Sequence, residues 1–191
     1  KRRSKVSKNE HARNLLQSTV DNQIPFKYVL NDVWFASAEN MRFIRLDLKK
    51  HFVMPLKTNR KVALSLEQQS CGHFVGVDSL DYQGNTPEHI DLEEVPFPLL
   101  LIRQVFTNED GSQGVLYLCT SDTTLDFDLI AQLYQKRWGI ERFHQSIKQN
   151  AALAKSPTKT PTTQANHFFA SICAFVKLEL LSHSTKLNHF A

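Results

Sequence analysis

The chain has 191 residues, enough for one ordinary domain with a buried core. Hydrophobic residues make up 41% and charged residues 22%, as in a globular protein, and only 6 residues are Gly, which excludes a low-complexity chain. The longest strongly apolar stretch, residues 168–176, is far shorter than the roughly 20 residues of a membrane-spanning helix, and no signal peptide is recognisable.

The formal net charge of +4 is unevenly distributed. The first eight residues carry five positive charges and no negative one. Such a basic segment either contacts phosphates or is a solvated run of charge, and the pattern leaves both open. The three cysteines, Cys71, Cys119 and Cys173, are far apart, so they indicate neither a disulfide framework nor a zinc site and are typical of a reducing cytoplasm.

The first 57 residues alternate between helical and extended patterns. Ser7 and Glu10 form a capping box for a helix that ends before Ile24. The run 26–31 is apolar at almost every position and predicts a strand covered on both faces, with Asp32 at its end. Ser37 caps a second helix that extends to about residue 47, and residues 51–57 follow as a strand. This rhythm is typical of an α/β sheet.

In the rest of the chain, a β-rich sequence pattern is followed by a helical one. Residues 58–120 contain short β-rich runs, at 62–66, 73–77, 99–106 and 115–119, and turn-forming residues, which predict a mostly antiparallel insertion. A helical pattern then holds from about residue 126 to 153. After a proline-containing loop, a last helix is expected over 163–181; it is apolar on most faces and therefore predicted to be buried.

The most informative segment is a stripe of four polar side chains in the predicted helix. Tyr134, Arg137, Glu141 and Lys148 are separated by 3, 4 and 7 residues, which places them on one helix face. Arg and Lys hold phosphate oxygens, and a Glu among them is explained if it holds a divalent metal beside DNA. Tyr offers a stacking face and a hydroxyl. The alternative is an exposed helix with i,i+4 ion pairs such as Arg137–Glu141.

Two further residue types invite a functional interpretation. The eight histidines show no metal-ligand spacing, so a histidine metal site is not expected. Trp34, which closely follows Asp32, either packs beneath a site or stacks on a base, and packing is the favoured role.

The stripe resembles the motif of a group of bacterial insertion-sequence transposases of the DDE type. Its spacing, Tyr-x2-Arg-x3-Glu-x6-Lys, is that group's spacing, and Trp138 and Ile140 also fit. Residues 29–37 are similar to the group's second-aspartate motif, a strand that ends in Asp and is followed by Trp-Phe. Both motifs occur in the family's order, with a β insertion between them, and the resemblance covers essentially the whole chain.

The resemblance implies a ribonuclease-H-like α/β fold with a mixed sheet and helices. It implies that Asp32 and Glu141 are the second and third metal-binding carboxylates, with two Mg²⁺ or Mn²⁺ ions in the complete enzyme. The implied reaction is two-metal phosphoryl transfer on DNA, hydrolysis followed by strand transfer. Tyr134, Arg137 and Lys148 would contact transposon-end DNA. The implied partners are double-stranded DNA, both transposon ends and target, and a second copy of the chain in a synaptic complex.

The sequence departs from the family at the first aspartate. Upstream of Asp32 only Glu10 and Asp21 carry carboxylates, and neither lies on a predicted strand. We therefore expect a C-terminal part of a catalytic domain, with residues 1–57 as half of the core, 58–120 as the insertion and 121–191 completing the core. The strand before Asp32 is then an exposed edge, and marginal stability is expected.

Two other functions stay open from sequence. One is a catalytically inactive transposase relative that at most binds DNA or a partner. The other is a nuclease, or another ribonuclease-H-like phosphotransferase, that shares the site without transposing.

Overall fold

The structure is a computed structural model that describes residues 5–186. Half of the basic segment, residues 1–4, and His189 lie outside the described residues. The chain divides after Lys136 into two compact units, which are described separately below. Within residues 5–186, none of the helices combines the length and apolar character that crossing a bilayer requires.

The first unit is built around a mixed seven-stranded sheet with the order β1-β2-β7-β6-β5-β3-β4. Strand β1 is parallel to β2, and all the other neighbours are antiparallel. The strands are β1 (Tyr28–Leu30), β2 (His51–Leu56), β3 (Lys61–Ala63), β4 (Val75–Gly76), β5 (Glu88–Leu92), β6 (Leu99–Thr107) and β7 (Gln113–Thr120).

Four helices belong to this unit, and two belong to the second unit. The first four are α1 (Lys8–Asp21), α2 (Ala38–Arg42, continued by a π-helical turn, Phe43–Asp47), α3 (Leu66–Ser70) and α4 (Phe127–Gln135). The second unit contains α5 (Gly139–Gln149) and α6 (Pro161–Thr185). A 3-10 turn, Lys136–Trp138, separates α4 from α5.

The core of the first unit lies on both faces of the sheet because side chains alternate along each strand. On one face, Phe52 and Leu101 are fully buried and pack with Met41 of α2. On the other face, Val53 and Leu118 are equally buried. Their cluster includes Ile130 and Tyr134 of α4. Helices therefore cover both sides of the central strands, which is the α/β layering that the sequence predicts.

Local signals in the sequence account for most of the helix starts. The Ser7 hydroxyl oxygen accepts a hydrogen bond from the Glu10 N–H at 3.1 Å, and the Ser37 hydroxyl oxygen accepts one from the Asn40 N–H at 3.2 Å. Both predicted caps, the strand that precedes Asp32 and the strand over 51–57 are confirmed. The expected α/β mixed sheet is confirmed, and β1 is an edge strand of the described sheet, as expected.

Three predictions about secondary structure are wrong. The helix expected over 126–153 is interrupted by the turn at Lys136–Trp138, directly before Gly139. The last helix is exposed rather than buried: among its described residues only Ser171 is buried, and Phe169 is 70% exposed. The strand expected over 62–66 ends at Ala63, since Ser65 caps the short helix α3 instead.

The predicted insertion is continuous with the rest of the sheet. Strand β7 pairs directly with β2, from Val53 opposite Thr120 to Leu56 opposite Tyr117. Strand β5, which the sequence pattern did not indicate, pairs with β6 and β3. The sheet therefore runs without a break across the expected boundary at 57/58, and the assignment of residues 58–120 as an insertion stays a prediction.

Candidate functional site

Asp32 begins a tight turn at the carboxyl end of β1. Its Oδ1 atom accepts a hydrogen bond from the Trp34 N–H at 2.8 Å and so caps the 3-10 turn Val33–Phe35. The side chain is half-buried, and within residues 5–186 it forms no ion pair. Its second oxygen, Oδ2, is therefore available to a ligand. Carboxylate oxygens are the ligands that Mg²⁺ prefers, so the chemistry of this residue suits the metal that the sequence implies.

Asn40 holds this turn in place from the next helix. It is 2% exposed, and its Nδ2 atom donates hydrogen bonds to the Phe35 carbonyl at 2.9 Å and to Asn9 Oδ1 at 3.0 Å. Its Oδ1 atom accepts a hydrogen bond from Arg13 at 2.8 Å. Because its partners lie on α1 and in the Asp32 turn, Asn40 ties these two elements to its own helix, α2. Sequence analysis missed it; the available signal was a poor helix former inside a predicted helix.

Trp34 points into solvent, which corrects the packing role that the sequence favoured. Its side chain is 77% exposed. The ammonium of Lys57 lies 5.7 Å from the centroid of its ring, which is a cation–π contact. Since β1 and β2 are parallel, Lys57, directly after β2, lies at the same edge of the sheet as Asp32 and Trp34. This edge therefore carries a carboxylate, an exposed indole and a cation.

A second polar cluster lies at the opposite end of β1 and β2, around Asp122. This carboxylate is 4% exposed. It accepts hydrogen bonds from the Tyr28 hydroxyl at 2.7 Å and the Thr124 hydroxyl at 2.6 Å, and Lys27 Nζ lies 3.3 Å away. His51 Nε2 lies 4.0 Å from the same carboxylate. Through these contacts, Asp122 connects the segment after β7 to the starts of β1 and β2.

Burial raises the pKa of Asp122, but the hydrogen bonds from Thr124 and Tyr28 and the nearby Lys27 outweigh it and hold that pKa well below its usual range. Asp122 is not apparent from the sequence, because Tyr28, which donates a hydrogen bond to it from β1, is 94 residues away along the chain.

In the second unit, Glu141 lies in the first turn of α5 and is paired with Arg137. Arg137 Nη1 donates a hydrogen bond to Glu141 Oε1 at 2.7 Å. This confirms the i,i+4 pair that the sequence analysis considered. The Glu141 side chain is 44% exposed, and among the described residues its Oε2 atom accepts no hydrogen bond. Glu141 therefore resembles Asp32: one oxygen is fixed by the protein, and the other is available.

The remaining two members of the predicted stripe differ in their environment. Lys148 is exposed in the last turn of α5, seven residues after Glu141 and so on the same side of that helix. Tyr134 is 8% exposed and packs in the core with Ile130 and Leu118. The stacking face expected of Tyr134 is thus not presented to solvent. The stripe also does not follow one straight helix, because the turn before Gly139 separates Tyr134 from Glu141 and Lys148.

The part of each unit that the structure describes contains no cluster of metal ligands. Across residues 5–186, no three His, Cys, Asp or Glu side chains are grouped in a way that suits a metal ion. The candidates are therefore two single carboxylates, Asp32 in the first unit and Glu141 in the second. Both have the oxygen donors and the available second oxygen that a hard divalent cation needs.

Comparison with known proteins gives one family. The family profile described as transposase DDE domain matches residues 3–176, which is most of the chain. No curated protein matches the sequence significantly. The family match confirms the resemblance to DDE transposases, while membership of the Tyr-Arg-Glu-Lys group stays a prediction.

The Asp122 cluster predicts how stability depends on pH. The folded-state pKa of Asp122 is depressed, so its contribution is fully present above the unfolded-state pKa near 3.8 and is lost as the pH falls below that value. We expect Asp122→Asn to lower the free energy of unfolding at pH 7 by about 1–3 kcal/mol, since charge-assisted hydrogen bonds are lost. Urea unfolding at pH 7 and pH 3 measures both effects.

The matched control for this prediction is Asp47→Asn, which removes the same charge from an exposed position. It should leave the unfolding free energy within about 0.5 kcal/mol at either pH. The difference between wild type and Asp122→Asn should shrink at pH 3. An equal loss of stability from both variants, or a difference that does not depend on pH, contradicts the role assigned to Asp122.

Proposed function

Because the chain belongs to the family of transposase DDE domains, we propose that it acts on transposon-end DNA by phosphoryl transfer, with Asp32 and Glu141 as metal-binding carboxylates. DDE transposases carry out DNA transposition and bind DNA. The reaction proposed here is hydrolysis of a phosphodiester at the transposon end, followed by strand transfer to the target. The observation that carries the proposal is that each carboxylate has one oxygen fixed by the protein and one available.

The family uses divalent metal ions, and we propose Mg²⁺ or Mn²⁺ here. When bound, two such ions stabilise the attacking and leaving oxygens of an in-line displacement and lower the pKa of a bound water. The protein supplies the orientation of the ligands. The Trp34 N–H and the Arg137 guanidinium each donate a hydrogen bond to one carboxylate oxygen and so orient Asp32 and Glu141.

Three further side chains are proposed to contact the DNA. Arg137, beside Glu141, is proposed to bind a phosphate near the carboxylate, and Lys148 carries an exposed positive charge on the same side of α5. Tyr134 is proposed to contribute through its hydroxyl, since its ring is buried. We also propose that the protein acts as a homodimer in a synaptic complex, because two transposon ends must be brought together.

The first test of this proposal is metal binding by the two carboxylates. Asp32→Asn and Glu141→Gln remove the charge but keep an amide oxygen that still accepts the bond from Trp34 or Arg137. We expect each variant to weaken Mn²⁺ binding by tenfold or more, about 1.4 kcal/mol. Titration calorimetry with the full chain measures this, and the melting temperature checks that each variant is folded.

Asp47→Asn is the control for nonspecific loss of negative charge, and it should bind Mn²⁺ like wild type. Unchanged affinity in both Asp32→Asn and Glu141→Gln would refute the proposed metal ligands. Nicking of supercoiled plasmid with Mn²⁺ separates the two functional alternatives. Nicking that Glu141→Gln abolishes supports an active enzyme, whereas metal and DNA binding without nicking supports an inactive DNA-binding relative.

The second test concerns Lys148. If it contacts a phosphate, Lys148→Ala should weaken DNA binding to a similar extent for different sequences and reduce the slope of log K against log salt by about 1. Lys177→Ala, which removes the same charge from an exposed position of α6, is the control. Fluorescence anisotropy with a labelled duplex at several salt concentrations gives both slopes. Equal slopes for Lys148→Ala and wild type would contradict a contact between Lys148 and a DNA phosphate.

A further inference from the structure

A small cleft beside Asp32 is formed by the exposed face of Trp34 and by two cations. It is lined by Val33, Trp34, Ala36, Ser37, Lys57 and Arg60 and has a volume of about 200 Å³. Sites for drug-sized ligands are usually larger, roughly 300–1,000 Å³. The size and the aromatic wall of this cleft suit one planar ring system rather than a long ligand.

The indole is exposed but fixed. A single exposed apolar side chain is ordinary on a protein surface and does not by itself indicate a site. Here, however, the Trp34 N–H donates to Asp32 Oδ1, and the Phe35 carbonyl accepts a hydrogen bond from buried Asn40. The backbone on both sides of the indole is therefore held by hydrogen bonds, so the ring is presented to solvent by a rigid turn.

The two cations make the cleft suitable for an anionic ligand. Lys57 and Arg60 are joined by a turn in which the Arg60 N–H donates to the Lys57 carbonyl at 3.0 Å. Within residues 5–186, neither side chain forms an ion pair. The neighbouring cavity, lined by Asn59, Arg60, Lys61, Glu93 and Glu94, contains two carboxylates, whereas the lining of the cleft contains none. A phosphate is the anion that two such cations bind well.

We propose that this cleft binds one unpaired nucleotide of DNA, with the base against the Trp34 indole and its phosphate on Lys57 and Arg60. Stacking on an aromatic side chain requires an open base face, which a nucleotide inside a duplex does not offer. Every base has such a face, so binding tolerates different sequences. The inference rests on the proposed function, since Trp34 is two residues from Asp32 and the unpaired nucleotide would lie beside the proposed metal ligand.

The test uses the small number of tryptophans in the chain. Trp34 and Trp138 are the only two, so the full chain with Trp138→Phe emits from Trp34 alone. Titration with a single-stranded dT10 oligonucleotide in EDTA should quench this emission to saturation, and a ten-base-pair duplex should quench it less. Because no metal is present, the result does not depend on Asp32 as a metal ligand.

Variants then separate the stacking and phosphate parts of the site, with dT10 affinity measured by anisotropy. Trp34→Ala should weaken binding by about tenfold or more, and Trp34→Phe should restore part of it. Lys57→Ala and Arg60→Ala should each weaken it, whereas Lys61→Ala, an exposed neighbour outside the cleft, should not. Thermal unfolding confirms that each variant is folded.

The inference is overturned if dT10 leaves the Trp34 emission unchanged, or if folded Trp34→Ala and Trp34→Phe both bind dT10 like wild type. It is also overturned if the duplex quenches as strongly as the single strand. Quenching as predicted, together with no Mn²⁺ binding by the wild-type chain, would count against the proposed metal ligands alone. Normal metal binding without quenching would count against the nucleotide cleft alone.

Discussion

The parallel pairing of β1 with β2 is the constraint on which the first unit depends. Parallel neighbours need a crossover connection, and here helix α2 with its π-helical turn supplies it while burying Met41 and Ile44 against the sheet. Strand β2 also pairs with β7 on its other side, and nearly all its residues are buried. Because both strands end at the same edge, Asp32 and Lys57 are brought to one place by the sheet itself.

The two ends of the β1–β2 strand pair have different chemistry. At the carboxyl edge, Asp32 keeps one oxygen available and Trp34 is exposed, so this end is open to ligands. At the opposite edge, Asp122 is buried and its oxygens are used by protein groups. A carboxylate that is fully satisfied stabilises the fold, whereas one with an available oxygen suits a metal ligand. This contrast supports the choice of Asp32 rather than Asp122.

Local sequence patterns predicted the helix caps and the strand before Asp32, because these features depend on residues that are close together in the chain. The caps at Ser7 and Ser37 and the strand before Asp32 follow from hydrogen bonding and hydrophobicity within a few residues. The break before Gly139 had a local signal as well, but the helical period of the flanking residues outweighed it. The exposed face of α6 was mispredicted because an apolar helix indicates burial only when other elements are available to cover it.

The candidate site was predictable only in part. The site residues predicted from the two sequence motifs, Asp32, Tyr134, Arg137, Glu141 and Lys148, stay predictions. The Arg137–Glu141 ion pair follows from helix geometry and is present in the structure. The roles of Asn40 and Asp122 were not predictable, since their partners lie far away in sequence. Trp34 was misjudged because hydrophobicity alone favours burial, while the turn capped by Asp32 directs the ring to solvent.

The central proposal is that Asp32 and Glu141 are metal-binding carboxylates. Its most direct test replaces the proposed metal with Fe²⁺ and generates hydroxyl radicals with ascorbate and peroxide, which cut the backbone beside the bound ion. The account predicts cuts near residue 32 that Asp32→Asn abolishes, and cuts near residue 141 that Glu141→Gln abolishes. The absence of cuts near either residue, or cuts that persist in the matching variant, would contradict it.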